Sequence, residues 1–165
     1  IKSEGFELGG KWLAKDNLNF NLAYTLSSTY DGEDADDALN SDGNSGGTGG
    51  GAFIDKRMVR VPTHMLGLNT YYKIPNRKIS FNLHTIGSSD VRDYGNYNTT
   101  LHGSDYSDVK LSGYLVNHLT LNYDAIPGYD VFFKVTNFTD RDYNTALHYS
   151  QPKRGFSFGL KKSFD

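Results

Sequence analysis

A run of acidic side chains occurs between residues 31 and 56, in a segment that is otherwise rich in glycine. Carboxylate oxygens are the ligands that Ca²⁺ prefers, so this segment could bind a calcium ion. The candidate ligands are Asp31, Asp34 and Asp36. Their spacing differs from that of an EF-hand loop, which needs glycine at the sixth position and glutamate at the twelfth. A long solvated loop is the simpler interpretation, because this composition offers little apolar surface to bury; no other cofactor is indicated.

A second set of candidates combines tyrosine and histidine in two further long polar segments. Binding residues are often carried by loops that a rigid scaffold positions, and aromatic and imidazole groups suit such contacts. The candidates are Tyr97, His102, Tyr106, His148 and Tyr149. The five histidines of the chain are scattered, and no two of them have the spacing of metal ligands. The sequence therefore predicts a ligand-contacting surface on these loops.

His148 and Ser150 are the one pair that could suggest catalysis. A serine nucleophile needs a nearby imidazole as its base, and two-residue spacing places both groups on one face of a strand. Here the pair falls in a loop that ends at Pro152, and no third group is in place to orient the imidazole. We therefore expect no catalytic residues.

The candidate loops connect segments in which apolar residues alternate with small or polar ones. The clearest case is 18–30, where Phe20 and Leu22 alternate with Asn19 and Asn21. Alternation with a period of two puts the two sets on opposite faces of a β-strand. The predicted strands cover 5–13, 18–30, 59–72, 79–90, 109–126, 129–138 and 154–164.

Composition excludes several classes of protein. The chain has 165 residues and a net charge of −2, without a basic face that would indicate nucleic acid. It has no cysteine, which rules out disulfides and thiolate metal sites. No apolar run reaches the roughly 18 residues of a transmembrane helix, and residues 1–4 carry no signal-peptide core.

The connections between predicted strands are alternately short and long. Short turns are predicted at Lys15, Pro75 and Pro127, and long loops at 31–56, 91–108 and 139–153. Bacterial outer-membrane barrels have this asymmetry, with short periplasmic turns and long external loops. The sequence thus predicts an all-β fold, an antiparallel up-and-down transmembrane β-barrel segment whose apolar face contacts lipid. Because single-chain bacterial barrels have an even strand number, seven strands predict the C-terminal part of a larger barrel.

Two polar residues depart from the predicted lipid-facing set. Lys162 lies on the same face as Phe164, and Asn117 lies on the same face as Leu119. Both are predicted near an end of their strand, where a polar group costs much less than at the bilayer midplane.

Two motifs near the end of the chain carry a family resemblance. Residues 135–143 read VTNFTDRDY, and residues 152–160 read PKRGFSFGL. The pair resembles the C-terminal end of a TonB-dependent outer-membrane receptor. In that family an Asn-Leu-Phe-Asp-Lys-x-Tyr motif closes the penultimate strand, and a Pro-Gly-Arg run opens the last strand. The chain departs from the pattern at Phe138 and Thr139, at Lys153, and at Asp165, which follows the terminal aromatic Phe164.

The resemblance implies binding and transport without catalysis. Such receptors have 22-stranded barrels with a plugged lumen, and import scarce nutrients across the outer membrane with energy delivered by the TonB complex. TonB acts on an N-terminal segment that, like the plug, is missing from residues 1–165. Ferric siderophore is the commonest cargo, and cobalamin, heme and oligosaccharide remain open. The implied partners are outer-membrane lipid, the TonB complex and a small metal chelate.

Two further hypotheses remain open at this point. One is an outer-membrane barrel hydrolase that uses His148 and Ser150. The other is a small soluble β-barrel that holds a ligand in its mouth, with its apolar rows turned inward.

Overall fold

A computed structural model of the chain describes residues 2–30, 58–94 and 108–162, which form eleven strands. The strands are β1 Lys2–Lys15, β2 Leu18–Tyr30, β3 His64–Lys73, β4 Ile79–Ser88, β5 Val91–Tyr94, β6 Asp108–Leu111, β7 Tyr114–Ile126, β8 Tyr129–Thr136, β9 Asn144–Ala146, β10 Tyr149–Ser150 and β11 Gly155–Lys162. Within the described ranges no helix is long and apolar enough to cross a membrane.

Seven of these strands form one antiparallel sheet in the order β1-β2-β3-β4-β7-β8-β11. Each strand pairs with the strand that precedes it in the sheet, as in an up-and-down meander. The prediction of seven antiparallel strands is therefore confirmed. The sheet is open between β1 and β11.

Three tight turns lie at one end of this sheet, where the sequence predicts them. Gly128 has φ 75° after Pro127, which is the arrangement that a type II turn requires. Asn76 has φ 57° in the β3–β4 turn. The β1–β2 turn is tied to the end of β3, because Asn17 Nδ2 donates to the Lys73 carbonyl at 2.8 Å and Lys73 N donates to the Asn17 carbonyl at 2.8 Å.

The sheet has one apolar face that is open to its surroundings. One row on this face crosses all seven strands: Trp12, Phe20, Thr70, Leu83, Leu119, Val135 and Phe156. Phe156 is 66% exposed and Phe158 is 73% exposed. Contiguous exposed apolar surface of this kind marks a membrane or protein contact. The hypothesis of a small soluble barrel with its apolar rows inside is therefore wrong.

The two polar exceptions on the apolar face have local partners. The Thr85 hydroxyl donates to Asn117 Oδ1 at 2.7 Å, so two polar groups on neighbouring strands satisfy each other. The Lys162 ammonium lies 5.3 Å from the centre of the Tyr129 ring, which is within the range of a cation–π contact. Such partners lower the cost of placing polar groups on this face.

The opposite face carries polar side chains at matching heights. One row contains Lys11, Asn21, Asn69, His84 and His118. The rings of His84 and His118 stack with centroids 6.1 Å apart. Water-filled barrel interiors are polar in this way, whereas small packed barrels fill their interior with side chains.

The predicted strand 109–126 is wrong in one respect, because it breaks at Ser112 and Gly113 into β6 and β7. A Cβ on Gly113 would lie 2.7 Å from the Ser88 carbonyl oxygen, so glycine permits the chain to pass this close. The apolar alternation continues through the break and conceals it. β6 then pairs with β5 in a small separate sheet, and β5 lies in the segment 91–108 predicted as a plain loop.

Two other boundaries also differ from the prediction. The third strand begins at His64 and not near residue 59, since Pro62 cannot donate a ladder hydrogen bond and Arg60 has φ 63°. The predicted loop 139–153 contains the β9–β10 hairpin, which is too short to show a period of two.

A charge in the middle of the apolar face tests its exposure to lipid. Leu83 lies near the centre of β4, and Asn82 precedes it on the polar face. We expect Leu83→Arg to lower the free energy of unfolding in lipid vesicles by about 2–4 kcal/mol, measured by urea titration of the complete protein. The control Asn82→Arg should cost far less, because its charge enters the polar side. Equal effects of the two variants would contradict the assignment of the faces.

Candidate functional site

Several predicted site residues lie outside the residues that the structure describes. These are Tyr97, His102 and Tyr106, together with the calcium candidates Asp31, Asp34 and Asp36. Their roles stay predictions. Within the described ranges, no group of three or more His, Cys, Asp or Glu side chains could hold a metal ion.

The other two predicted contact residues lie on the β9–β10 hairpin. His148 is exposed and has φ 65° at the turn of the hairpin, and Tyr149 is 67% exposed in β10. The hairpin lies at the end of the sheet opposite the tight turns, which would be the external end of a barrel. The contact role of His148 and Tyr149 stays a prediction.

Asn137 closes the neck of the loop that carries this hairpin. Its side chain is 2% exposed, and Nδ2 donates to the carbonyls of Arg141 at 2.8 Å and Pro152 at 3.1 Å. Arg141 N donates to Asn137 Oδ1 at 2.8 Å, and Arg154 N donates to Asp140 Oδ1 at 2.9 Å. Asn137 and Asp140 have φ 46° and 55°, a conformation that Asn and Asp tolerate better than most residues. The first C-terminal motif is therefore a structural clasp across the loop.

Asp93 joins three segments at the same end of the sheet. Its side chain is fully buried, and its carboxylate accepts hydrogen bonds from Arg60 Nε at 2.8 Å and Leu147 N at 2.6 Å. Arg60 N also donates to the Arg92 carbonyl at 2.7 Å. A buried carboxylate is tolerated only when paired and hydrogen-bonded. The residues before β3, the β5–β6 sheet and the β9–β10 hairpin are thus held to one another through one side chain.

Two clefts open between these joined segments. The larger has a volume of about 460 Å³ and is lined by 110–113, 141–144 and Ser150. The smaller has a volume of about 130 Å³ and lies between the chain before β3, the β4–β5 junction and the start of β7. Ser112 and Asn144 line both clefts and form the boundary between them.

The polar groups of the larger cleft differ in how far they are already paired. Lys110 forms an ion pair with Asp90 at 3.2 Å, and Asp142 forms one with Lys153 at 3.0 Å. Exposed pairs of this kind contribute little and exchange readily. The guanidinium of Arg141 has no carboxylate partner among the residues that the structure describes.

Tyr143 lines the larger cleft and packs against a second tyrosine. Its ring packs against Tyr114 with centroids 4.4 Å apart and the planes inclined by 41°. Burial, and secondly the neighbouring Tyr114, raise the pKa of the Tyr143 phenol above its ordinary value of 10.0. The phenol therefore stays protonated at neutral pH and can donate its proton in a hydrogen bond.

Sequence reasoning missed this cleft, although part of it was visible. Arg141 and Tyr143 belong to the first C-terminal motif, but the motif alone does not show what faces them. Asn144, Ser112 and Asp93 lie in segments predicted as loop or continuous strand, and only the tertiary contacts bring them together. A buried Asp within a polar stretch leaves no periodic signal.

The antiparallel sheet has an exposed apolar face, tight turns at one end and long connections at the other. These features together define a section of a membrane β-barrel wall. The chain belongs to the family described as TonB dependent receptor-like, beta-barrel, whose model matches residues 1–138. The two C-terminal motifs lie mostly beyond this match and resemble the same family. Barrels of this family are typical of Gram-negative outer membranes, and their members are transporters and not enzymes. The hydrolase hypothesis for His148 and Ser150 is therefore wrong.

Three solved receptor structures illustrate the likeness in fold. The pyoverdine outer membrane receptor FpvA from Pseudomonas aeruginosa PAO1, bound to pyoverdine, has a TM-score of 0.74 at 16% identity, covering 98% of this chain and 21% of its own. The ferric-catecholate import receptor Fiu from E. coli K12 has a TM-score of 0.70 at 18% identity, with 98% and 21% covered. The ferric yersiniabactin uptake receptor FyuA from Yersinia pestis has a TM-score of 0.62 at 14% identity, with 98% and 23% covered.

These structures are much longer than the present chain, which spans about a fifth of their length. At such low identity the likeness shows the fold alone. Among curated proteins, none matches the chain significantly.

Removal of the Asp93 carboxylate should release the β9–β10 hairpin. In Asp93→Ala the Leu147 amide loses its acceptor, and an unsatisfied buried donor costs about 1–3 kcal/mol. We expect amide exchange in residues 144–150 to become about tenfold faster or more, measured by hydrogen-exchange mass spectrometry on the complete protein. Asp90→Ala, which removes only the exposed pair with Lys110, serves as the control. Protection of the hairpin that is equal in both variants would contradict the role of Asp93.

Proposed function

We propose that the chain forms part of the barrel wall of an outer-membrane receptor that imports a ferric siderophore with energy from the TonB complex. The family match over residues 1–138 is the observation that carries this proposal. The structural neighbours that bind or import ferric chelates favour siderophore over cobalamin, heme or oligosaccharide as cargo. We place the protein in the bacterial outer membrane, with lipid against the apolar face.

The described residues contribute two things to this function. The sheet provides a wall with hydrocarbon on one side and water on the other, because one face is mainly apolar and the other carries most of the polar side chains. At the external end, the segments tied by Asp93 and Asn137 enclose polar clefts where a ligand arriving from outside would first make contact. Binding and passage need no bond to be broken, so the chain needs no nucleophile or general base.

Uptake of radiolabelled nutrients by intact cells tests the proposal, with iron-55 as the label in ferric siderophores and heme and radioactive cobalt as the label in cobalamin. Deletion of the gene should abolish uptake of at least one ferric siderophore from a panel that also contains cobalamin and heme, and the gene on a plasmid should restore it. Deletion of tonB should have the same effect, since ligand binding alone does not drive transport. Siderophore uptake that is unchanged in the gene deletion would contradict the proposed cargo class. If the deletion instead abolished uptake of cobalamin or heme, that nutrient would be the cargo.

A further inference from the structure

We propose that the larger cleft is a binding site for a carboxylate group with a neighbouring hydroxyl or amide N–H. The inference rests on the proposed function in that this group would belong to the imported chelate. The site itself is defined by Arg141, Asn144, Ser112 and Tyr143, and it can be tested without transport.

Asn144 gives the site its requirement for a donor. Its Oδ1 atom is buried and has no hydrogen-bond partner among the described residues. A buried acceptor that stays unpaired is destabilising, so native structures almost always satisfy it. Asn144 lines both clefts, so a small rotation of its side chain would turn Oδ1 toward a group that enters the larger one. An acceptor oxygen selects an O–H or N–H on the ligand and rejects a bare carboxylate.

Arg141 gives the site its preference for an anion. Arg141 lines the larger cleft, and its guanidinium has no ion-pair partner among the described residues. Its backbone N–H donates to Asn137 Oδ1, and its carbonyl accepts from Asn137 Nδ2. The backbone on both sides of the side chain is therefore fixed by the clasp. A planar guanidinium binds a carboxylate through two parallel hydrogen bonds, which a lysine cannot do.

The remaining polar groups extend the same pattern. Tyr143 stays protonated and can donate to a carboxylate oxygen, and the Ser112 and Ser150 hydroxyls can either donate or accept. Asp142 lines the same cleft but is engaged by Lys153 at 3.0 Å. The volume of about 460 Å³ lies within the usual range of small-molecule sites, so one arm of a larger chelate fits.

Matched pairs of small molecules separate the two requirements. Citrate and tricarballylate carry the same three carboxylates and differ by one hydroxyl, while N-acetylaspartate differs from succinate by an acetamido group. We expect the complete protein, purified in detergent, to bind at least one donor-bearing molecule several-fold to about tenfold more tightly than its partner, measured by titration calorimetry. The pair that shows the difference identifies a hydroxyl or an amide as the donor.

Variants assign the two roles to their residues. Asn144→Leu has a similar shape without the acceptor and should abolish the preference within the pair. Arg141→Gln should weaken the binding of both molecules of a pair by a similar factor, so the preference for the donor-bearing molecule should remain. Arg77→Gln removes the same charge in the turn at the opposite end of the sheet and should leave binding unchanged.

The outcomes also separate this site from the import function. Equal binding within both pairs by the unaltered protein overturns the proposal, and so does a preference that survives Asn144→Leu. The comparison within each pair uses the unaltered protein, so it does not depend on whether a variant folds. A preference that is present in a protein without siderophore uptake would support the site and contradict only the cargo.

Discussion

The continuous backbone ladder from β1 to β11 is the interaction on which the other features depend. In hydrocarbon no water is present to satisfy a backbone N–H or carbonyl, so each strand must find its partners in its neighbours. The ladder also fixes which side chains share a face. A slip of one residue between β8 and β11 would move Phe156 and Phe158 to the polar side and bring Ser157 to the apolar side.

The two ends of the sheet are held together by different means. At one end tight turns suffice: Pro127 and Gly128 form one of them, and Asn17 in another bonds to the last residue of β3 through its side chain and its carbonyl. At the other end the connections are longer, and buried side chains hold them in place. The Asn137 side chain closes the neck of the loop between β8 and β11, and the Asp93 side chain joins β5 to the β9–β10 hairpin within that loop. Both clefts occur at the end where side chains connect the segments.

The sequence predicts the main sheet well because each of its faces has a single environment. A period of two survives wherever a strand has one apolar and one polar neighbour, as in β2 and β11. The pattern fails at Gly113, where apolar alternation runs on through a change of sheet, and in β9 and β10, which are too short to repeat. The candidate cleft could not be predicted for a related reason. Arg141 and Ser112 are distant in sequence, and the contacts of Asp93 and Asn137 that bring their segments together involve polar residues without periodicity.

Because of the Asn137 clasp, the pairing of β8 and β11 does not depend on the length of the loop between them. Closing a longer loop costs only about 0.6 kcal/mol for each doubling of its length, and the clasp spans the neck at Arg141, Pro152 and Arg154 whatever lies between. Insertions or substitutions beyond the neck leave the register of β8 and β11 intact. The wall can therefore stay constant while its outermost residues diverge, which gives an evolving population of bacteria a means to change what such a receptor recognises without rebuilding the barrel.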